Sequence, residues 1–190
     1  MIAIYKRELR AYYNSMIGWV FTAAMLILVG IYFMVFNMYQ GFVYFSYALA
    51  SASNMLMLLV PILTMRSMSE ERASRTDQLL LTAPVSVGGI VLGKFLATMT
   101  VFAIPLVLLS VCPLIIRSNG SAALLADYCT MFAFLMLGGV LISLGMLISS
   151  LTESQLSAAV ITVATIAVMI LVGIFNQFIG SAFLRTVLDW

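Results

Sequence analysis

The sequence predicts an all-α fold, a polytopic bundle of helices embedded in a membrane, on three observations. Hydrophobic residues make up 64% of the 190-residue chain and charged residues only 8%, with a mean hydropathy of +1.15. An ordinary soluble domain carries about a quarter charged residues. The charges that exist are clustered, leaving 11–65, 95–116, 128–152 and 154–184 free of them. A charge at the bilayer centre costs roughly 2.5–3.5 kcal/mol, and a helical crossing needs about 20 mostly apolar residues. The long uncharged stretches are therefore the membrane segments.

The chain opens with "MIAIYKRELRAYYNSMIGW", which is amphipathic at helical spacing. Ile2, Tyr5, Leu9, Tyr12 and Met16 share one face, and Lys6, Arg7, Arg10 and Asn14 share the other. A basic, aromatic-rich helix of this kind over 1–15 lies in the membrane interface. It serves either as a topology anchor or as an elbow that passes motion from a cytoplasmic partner into the first span. The stretch 11–65 holds two crossings, 17–36 and 43–64, separated by the turn "FNMYQGF".

Between the second and third crossings lie about 30 residues, where a simple helix connection needs only a few. In this segment Arg66 and Glu70 are four apart, as are Glu71 and Arg75, a spacing suited to ion pairs on an exposed helix face. Leu79, Leu80 and Leu81 follow as a compact apolar end, and Pro84 stops the helix. The 66–84 loop fits docking into another protein; the alternative is that its leucines fold back on the bilayer. Three more crossings follow, 95–116, 128–150 and 156–178, for about five in all. With the N-terminus inside, seven Lys/Arg residues are cytoplasmic and two, Arg117 and Arg185, are outside, as the positive-inside rule favours. The first crossing has no removable signal-peptide character and is read as a retained anchor.

The stretch "GGIVLGKF", Gly88–Phe95, approaches the phosphate-binding pattern G-x-x-x-x-G-K-S/T, but Phe95 stands where a hydroxyl must hold Mg²⁺. No strand precedes it. Its glycines are expected to form a flexible lead-in to the third crossing, with Lys94 reaching back to the interface. The chain has no histidine, which removes Ser–His catalysis and His–zinc sites. Cys112, Cys129 and the fourteen methionines read as apolar filling between helices. Asp127 and Glu153 fall near span ends and are expected to anchor at the interface. No catalytic, cofactor or metal site and no nucleic-acid partner is expected.

The segments "YKRELRAYYNSMIGWVF", "LTMRSMSEERASRTDQLLLTAPVSVGGIVLGKFLA" and "LGMLISSLTESQLSAAVIT" resemble the ABC-2 type transporter permeases. The similar subgroup is bacterial, of gliding-motility or copper-resistance-type exporters. The most specific part is E-E-R-x-x-x-T-x-x-L-L-L-T-x-P, Glu70 to Pro84. The resemblance implies the membrane subunit of an ATP-binding cassette exporter in a bacterial inner membrane. It also implies a second permease copy, identical or not, and a separate cytoplasmic ATPase that holds ATP and Mg²⁺. It assigns Glu70, Glu71, Arg72, Arg75, Asp77, Leu79, Leu80 and Leu81 to ATPase coupling, and Tyr5 to Tyr13 to the connecting helix. Family members have six spans, so the chain looks as though it lacks the last one, with 179–190 starting an extracellular segment.

Polar residues at helical spacing within spans mark a candidate translocation path: Tyr47, Ser51 and Asn54 in the second, Thr162 and Thr165 in the fifth. Interhelical hydrogen bonding explains the same residues equally well. Gly139/Ser143 and Gly145/Ser149 have the four-residue spacing that lets helix backbones approach. Two other functional classes stand beside the exporter reading. A secondary carrier would need intramembrane charges or broken helices in matching halves. A non-transporting scaffold would recruit a cytoplasmic protein through 66–84 and move nothing.

Overall fold

The computed structural model describes residues 2–65, 87–119, 124–152 and 154–188. Every regular element among them is helical. In chain order these are α1 (Ile2–Asn14), α2 (Ile17–Phe33) with a π-helical end (Met34–Tyr39), α3 (Ser46–Ser53), α4 (Leu56–Thr64), α5 (Val87–Leu109), α6 (Val111–Asn119), α7 (Leu124–Leu151) and α8 (Gln155–Leu188).

α1 and α2 meet at a sharp corner. Met16 sits at φ 60°, in the left-handed region that β-carbons disfavour, and Tyr13 packs edge-on against Trp19 at 5.2 Å between ring centroids. α2 then crosses and unwinds into π-helix before the expected turn. There the amide of Asn37 donates to Phe42 O at 2.8 Å and to Tyr44 O at 3.0 Å, while Gly41 takes φ 74°. One buried side chain thus satisfies two turn carbonyls, and Gly supplies the conformation other residues resist.

The second crossing departs from expectation. In place of one helix over 43–64 it is a pair, α3 and α4, bent by 61° around Asn54 and Met55. It still returns the chain to its starting side. Phe33 and Phe45 rings touch at the far end (6.0 Å), and Tyr12 of α1 bonds Leu63 O at the near end. Counted so, the chain has five crossings, the other four being Ile17–Tyr39, Gly88–Ser118, Leu124–Leu151 and Gln155–Gly173.

The third crossing starts earlier than expected. Gly88, Gly89 and Gly93 lie inside α5 and do not form a flexible lead-in, because the apolar residues between them continue the helical ladder. Lys94 is 1% exposed, its ammonium standing 4.0 Å from Glu8 of α1. The helix α8 continues through 179–188, where an extracellular segment was expected to begin.

α7 is the central helix, packed on α3, α4, α5, α6 and α8. A continuous core runs between it and α2–α5, built on Phe21, Met25, Val29, Leu56, Val60, Phe102, Phe134 and Ile142. Phe102 stacks on Phe134 at 6.0 Å and leans on Phe21 at 6.1 Å. Gly138 makes room for it: a Cβ there would overlap the Phe102 ring. The outward faces of α2 and α8 remain apolar, with Ile27, Ile31, Val160 and Val168 exposed, as lipid contact requires.

Candidate functional site

Two polar clusters stand out in an otherwise apolar bundle, one at each end. The first lies on the side of α1. Tyr12 is buried, and its hydroxyl donates to Leu63 O at 3.2 Å in α4; Thr98 Oγ1 of α5 lies 3.2 Å from the same oxygen. Thr98 in turn bonds Lys94 O within its own helix at 3.0 Å. Tyr5, two turns earlier in α1, shares a hydrogen bond with Thr100 at 3.1 Å. Glu8 lies between these two tyrosines, on the α5 side. It holds Arg7 at 2.7 Å and stands 4.0 Å from the buried Lys94 ammonium. The helical spacing of Tyr5, Glu8 and Tyr12, three and four apart, is what lines all three against α5.

The same cluster extends to α7. Thr64, fully buried at the end of α4, bonds back to Val60 O at 3.0 Å. Gly145 lets α7 approach it, since a Cβ there would strike the Thr64 side chain. One turn on, Ser149 Oγ donates to Met65 O at 3.4 Å. The expected Gly145/Ser149 pair is therefore the contact between α7 and the end of α4. Gly139 faces Met99 of α5, whereas Ser143 is exposed and bonds only within its helix.

The second cluster is at the opposite end. Asp127 was expected at the interface; it is 0% exposed, and its Oδ1 accepts the Phe45 backbone amide at 2.9 Å. Phe45 is the N-cap of α3 and offers no capping side chain of its own. The carboxylate on α7 therefore caps α3 from outside, opposite the positive end of its dipole. Asp127 Oδ2 has no hydrogen-bond partner among the described residues.

The coupling residues Glu70, Glu71, Arg72, Arg75, Asp77, Leu79, Leu80 and Leu81 lie outside the described residues, as does Glu153. The candidate path residues fall on α3, the bend and α8. Tyr47 is exposed, its ring 4.7 Å from Phe42; Ser51 is half-buried; Asn54 is exposed at the bend itself. The bend takes these three off a single straight helix face. Thr162 is buried and Thr165 half-buried, each bonded to the carbonyl one turn back, Ala158 O and Ile161 O. Both α3 and α8 pack on α7. Between α3 and α7 a groove of about 270 Å³ opens, edged by Ser46, Ser53 and Thr130.

Sequence reasoning passed over Asp127 and Lys94 as interacting residues. Asp127 had one legible signal, an acidic residue in the first turn of a long apolar helix, but its partner is 82 residues away. Among the described residues, no group of His, Cys, Asp and Glu could hold a metal ion.

Four apolar helices long enough to cross a membrane, five crossings with the bent α3–α4 pair counted as one, make this a multi-pass membrane protein. Residues 34–190 match the ABC-2 family transporter protein family, which covers most of the chain, from the π-helical end of α2 onward. The chain belongs to that family and is a transmembrane subunit of an ABC transporter. Such permeases generally work with an ABC ATPase. No curated protein and no solved structure matches the chain.

Proposed function

We propose that the chain forms the membrane half of an ATP-driven exporter, paired with a second permease copy and worked by a separate cytoplasmic ATPase. The observation that carries this reading is the Tyr12 hydroxyl, seated between Leu63 O of α4 and Thr98 of α5. These are the two helices that lead into and out of the 66–84 loop. A force applied to that loop reaches both of its roots and α1 together, and Ser149 with Gly145 passes it on to α7. In this reading Glu70, Glu71, Arg72, Arg75 and Asp77 give the loop its charged docking surface, and Leu79, Leu80 and Leu81 its apolar contact. ATP and Mg²⁺ belong to the partner.

The basic residues support a cytoplasmic N-terminus in a bacterial inner membrane. Lys6, Arg7, Arg10 and Lys94 lie on the α1 side and Arg117 lies opposite, and the segment that carries Arg66, Arg72 and Arg75 follows the end of α4 that Tyr12 of α1 contacts. For the permeant, we assign the path to Tyr47, Ser51 and Asn54 of the broken crossing, with Thr162 and Thr165 of α8. Hydroxyls, an amide and aromatic edges, with no charge among them, suit an amphipathic or lipid-like cargo.

Recovery of the tagged chain from membranes tests the coupling. The complex should contain an ATPase and hydrolyse ATP, and replacing Leu79, Leu80 and Leu81 together by Ser should remove both. Hydrolysis by the isolated chain, or an unchanged complex after that replacement, overturns the proposal. Transport by the reconstituted complex separates the exporter from a scaffold, which would bind the ATPase and move nothing.

A further inference from the structure

The outward side of the broken second crossing differs from those of α2 and α8, which show only apolar surface at Ile27, Ile31, Val160 and Val168. Along α3 and α4 the exposed residues Tyr47, Ala50, Asn54, Leu58 and Ile62 follow one another at spacings of three or four. That is the interval at which one helix offers a row of side chains to another. The row turns with the bend at Asn54, which has the eight residues of α3 on one side and the nine of α4 on the other. The Asn54 amide therefore lies near the middle of the crossing. It has no hydrogen-bond partner among the described residues, and neither has the hydroxyl of half-buried Ser51, one turn before it. Ser143 of α7 and Thr165 of α8, by contrast, each bond a carbonyl of their own helix, at 2.7 Å and 2.8 Å. Lipid tails supply neither donors nor acceptors, so an open amide at that depth is costly.

Whatever covers the row must bring hydrogen-bonding groups to Asn54 and Ser51 and apolar surface to Leu58 and Ile62, over roughly four helical turns. That describes another helix. We infer that a second copy of this chain covers it, the two α3–α4 bends facing each other about a two-fold axis along the membrane normal, Asn54 against its counterpart. An isologous contact must be complementary to itself. Hydroxyls and amides each donate and accept, so each group can pair with its own copy. The row carries no charge that the axis would set against itself. A lone polar residue in a seam of paired helices fixes register and partner number, and in lipid such groups help to hold helices together. The inference rests on the pairing of two permease copies proposed above, and adds that the copies are identical and meet at the bend. The path residues Ser51 and Asn54 then lie between the copies, so the path is incomplete without the partner.

Disulfide trapping of the full chain in native membranes tests this. With Cys112 and Cys129 replaced by Ser, Asn54→Cys and Leu58→Cys should give cross-linked dimers on oxidation. Ile27→Cys and Val160→Cys, on the outward faces of α2 and α8, should stay monomeric. All four positions are exposed, so the substitutions leave the core untouched. Separately, two differently tagged copies should co-purify, and Asn54→Leu should weaken their association about threefold, the worth of one interhelical hydrogen bond in lipid. Co-purifying tags with only monomers from Asn54→Cys and Leu58→Cys would overturn this face and leave the pairing of copies standing. Tags that do not co-purify would overturn the identity of the copies and the inference with it. Equal trapping at all four positions would mean random collision and would overturn it too.

Discussion

The backbone amide of Phe45 donates to the carboxylate of Asp127 at 2.9 Å, tying the start of α3 to the first turn of α7. Both partners are fully buried. Helix α3 is only eight residues long and brings no capping side chain of its own, so its first amides depend on a group supplied by another helix. Short helices are marginal without such support.

Removing that carboxylate should loosen α3. Asp127→Ala leaves the Phe45 amide buried without an acceptor, which costs about 1–3 kcal/mol. Asp127→Asn keeps an acceptor and should recover part of the loss. Thermal unfolding of the detergent-solubilised chain reads both; equal melting of the Ala variant and the native chain would show that the contact contributes nothing.

Tyr12→Phe removes one hydroxyl from the junction of α1, α4 and α5 and leaves the ring in place. Stability should fall by about 1 kcal/mol, the net worth of a typical hydrogen bond. The larger effect should appear in the assembled transporter, where substrate-stimulated ATP hydrolysis weakens while ATPase binding persists. Loss of ATPase binding in this variant would point to a docking role for α1 instead.

Glu8 and Lys94 stand 4.0 Å apart with the lysine side chain 2% exposed. Glu8→Gln, Lys94→Met and the double variant form a cycle that isolates their mutual term. A coupling of roughly 0.5–3 kcal/mol is expected for contacting residues in one charged network. Additive losses would mean that each residue acts through its other neighbours, Arg7 in the case of Glu8.

Gly138→Ala should destabilise by about 1–3 kcal/mol through overpacking, since the new methyl overlaps the Phe102 ring. Phe102→Leu should relieve much of that loss, so the double variant should be more stable than Gly138→Ala alone. Gly30→Ala, where a methyl meets nothing within 4 Å, should instead be neutral or stabilise by roughly 0.5–1 kcal/mol. Matching unfolding temperatures for Gly30→Ala and Gly138→Ala would contradict the close approach of α5 and α7.

Met16 holds the corner between α1 and α2 at φ 60°. Met16→Gly should raise stability by about 1 kcal/mol, because only Gly takes this conformation without a β-carbon penalty. A decrease would show that the exposed Met16 side chain contributes more than its backbone strain removes.

The fold class, the helical first segment and the four long apolar crossings were legible because charge and apolar periodicity are local signals. The Asn37 turn was legible too, since Asn, Gln and Gly interrupt an apolar run. The bend at Asn54 and Met55 was not: neither is a strong helix breaker, and Pro61 lies on its far side, inside α4. Lys94 and Asp127 misled for a shared reason. A charge near a span end reads as solvated unless its partner is known, and Glu8 and Phe45 are distant in sequence. The spacing of Tyr5 and Tyr12 put both on one face of α1, but that this face packs on α5 was not legible, since their partners Thr98, Thr100 and Leu63 O carry no mark of their role. For the candidate path, the sequence named residues by the spacing of straight helices. It could not say that Tyr47 and Asn54 would end up separated by a change in helix direction.

The 61° bend has a consequence for the surrounding bilayer. Eight residues of α3 and nine of α4 rise about 12 Å and 14 Å, and joined at that angle through Asn54 and Met55 they span only about 25 Å end to end. A hydrocarbon layer is about 30 Å thick, so this crossing falls short and must draw the membrane surface inward beside it. Thicker lipid should strain this part of the subunit, and thinner lipid should suit it.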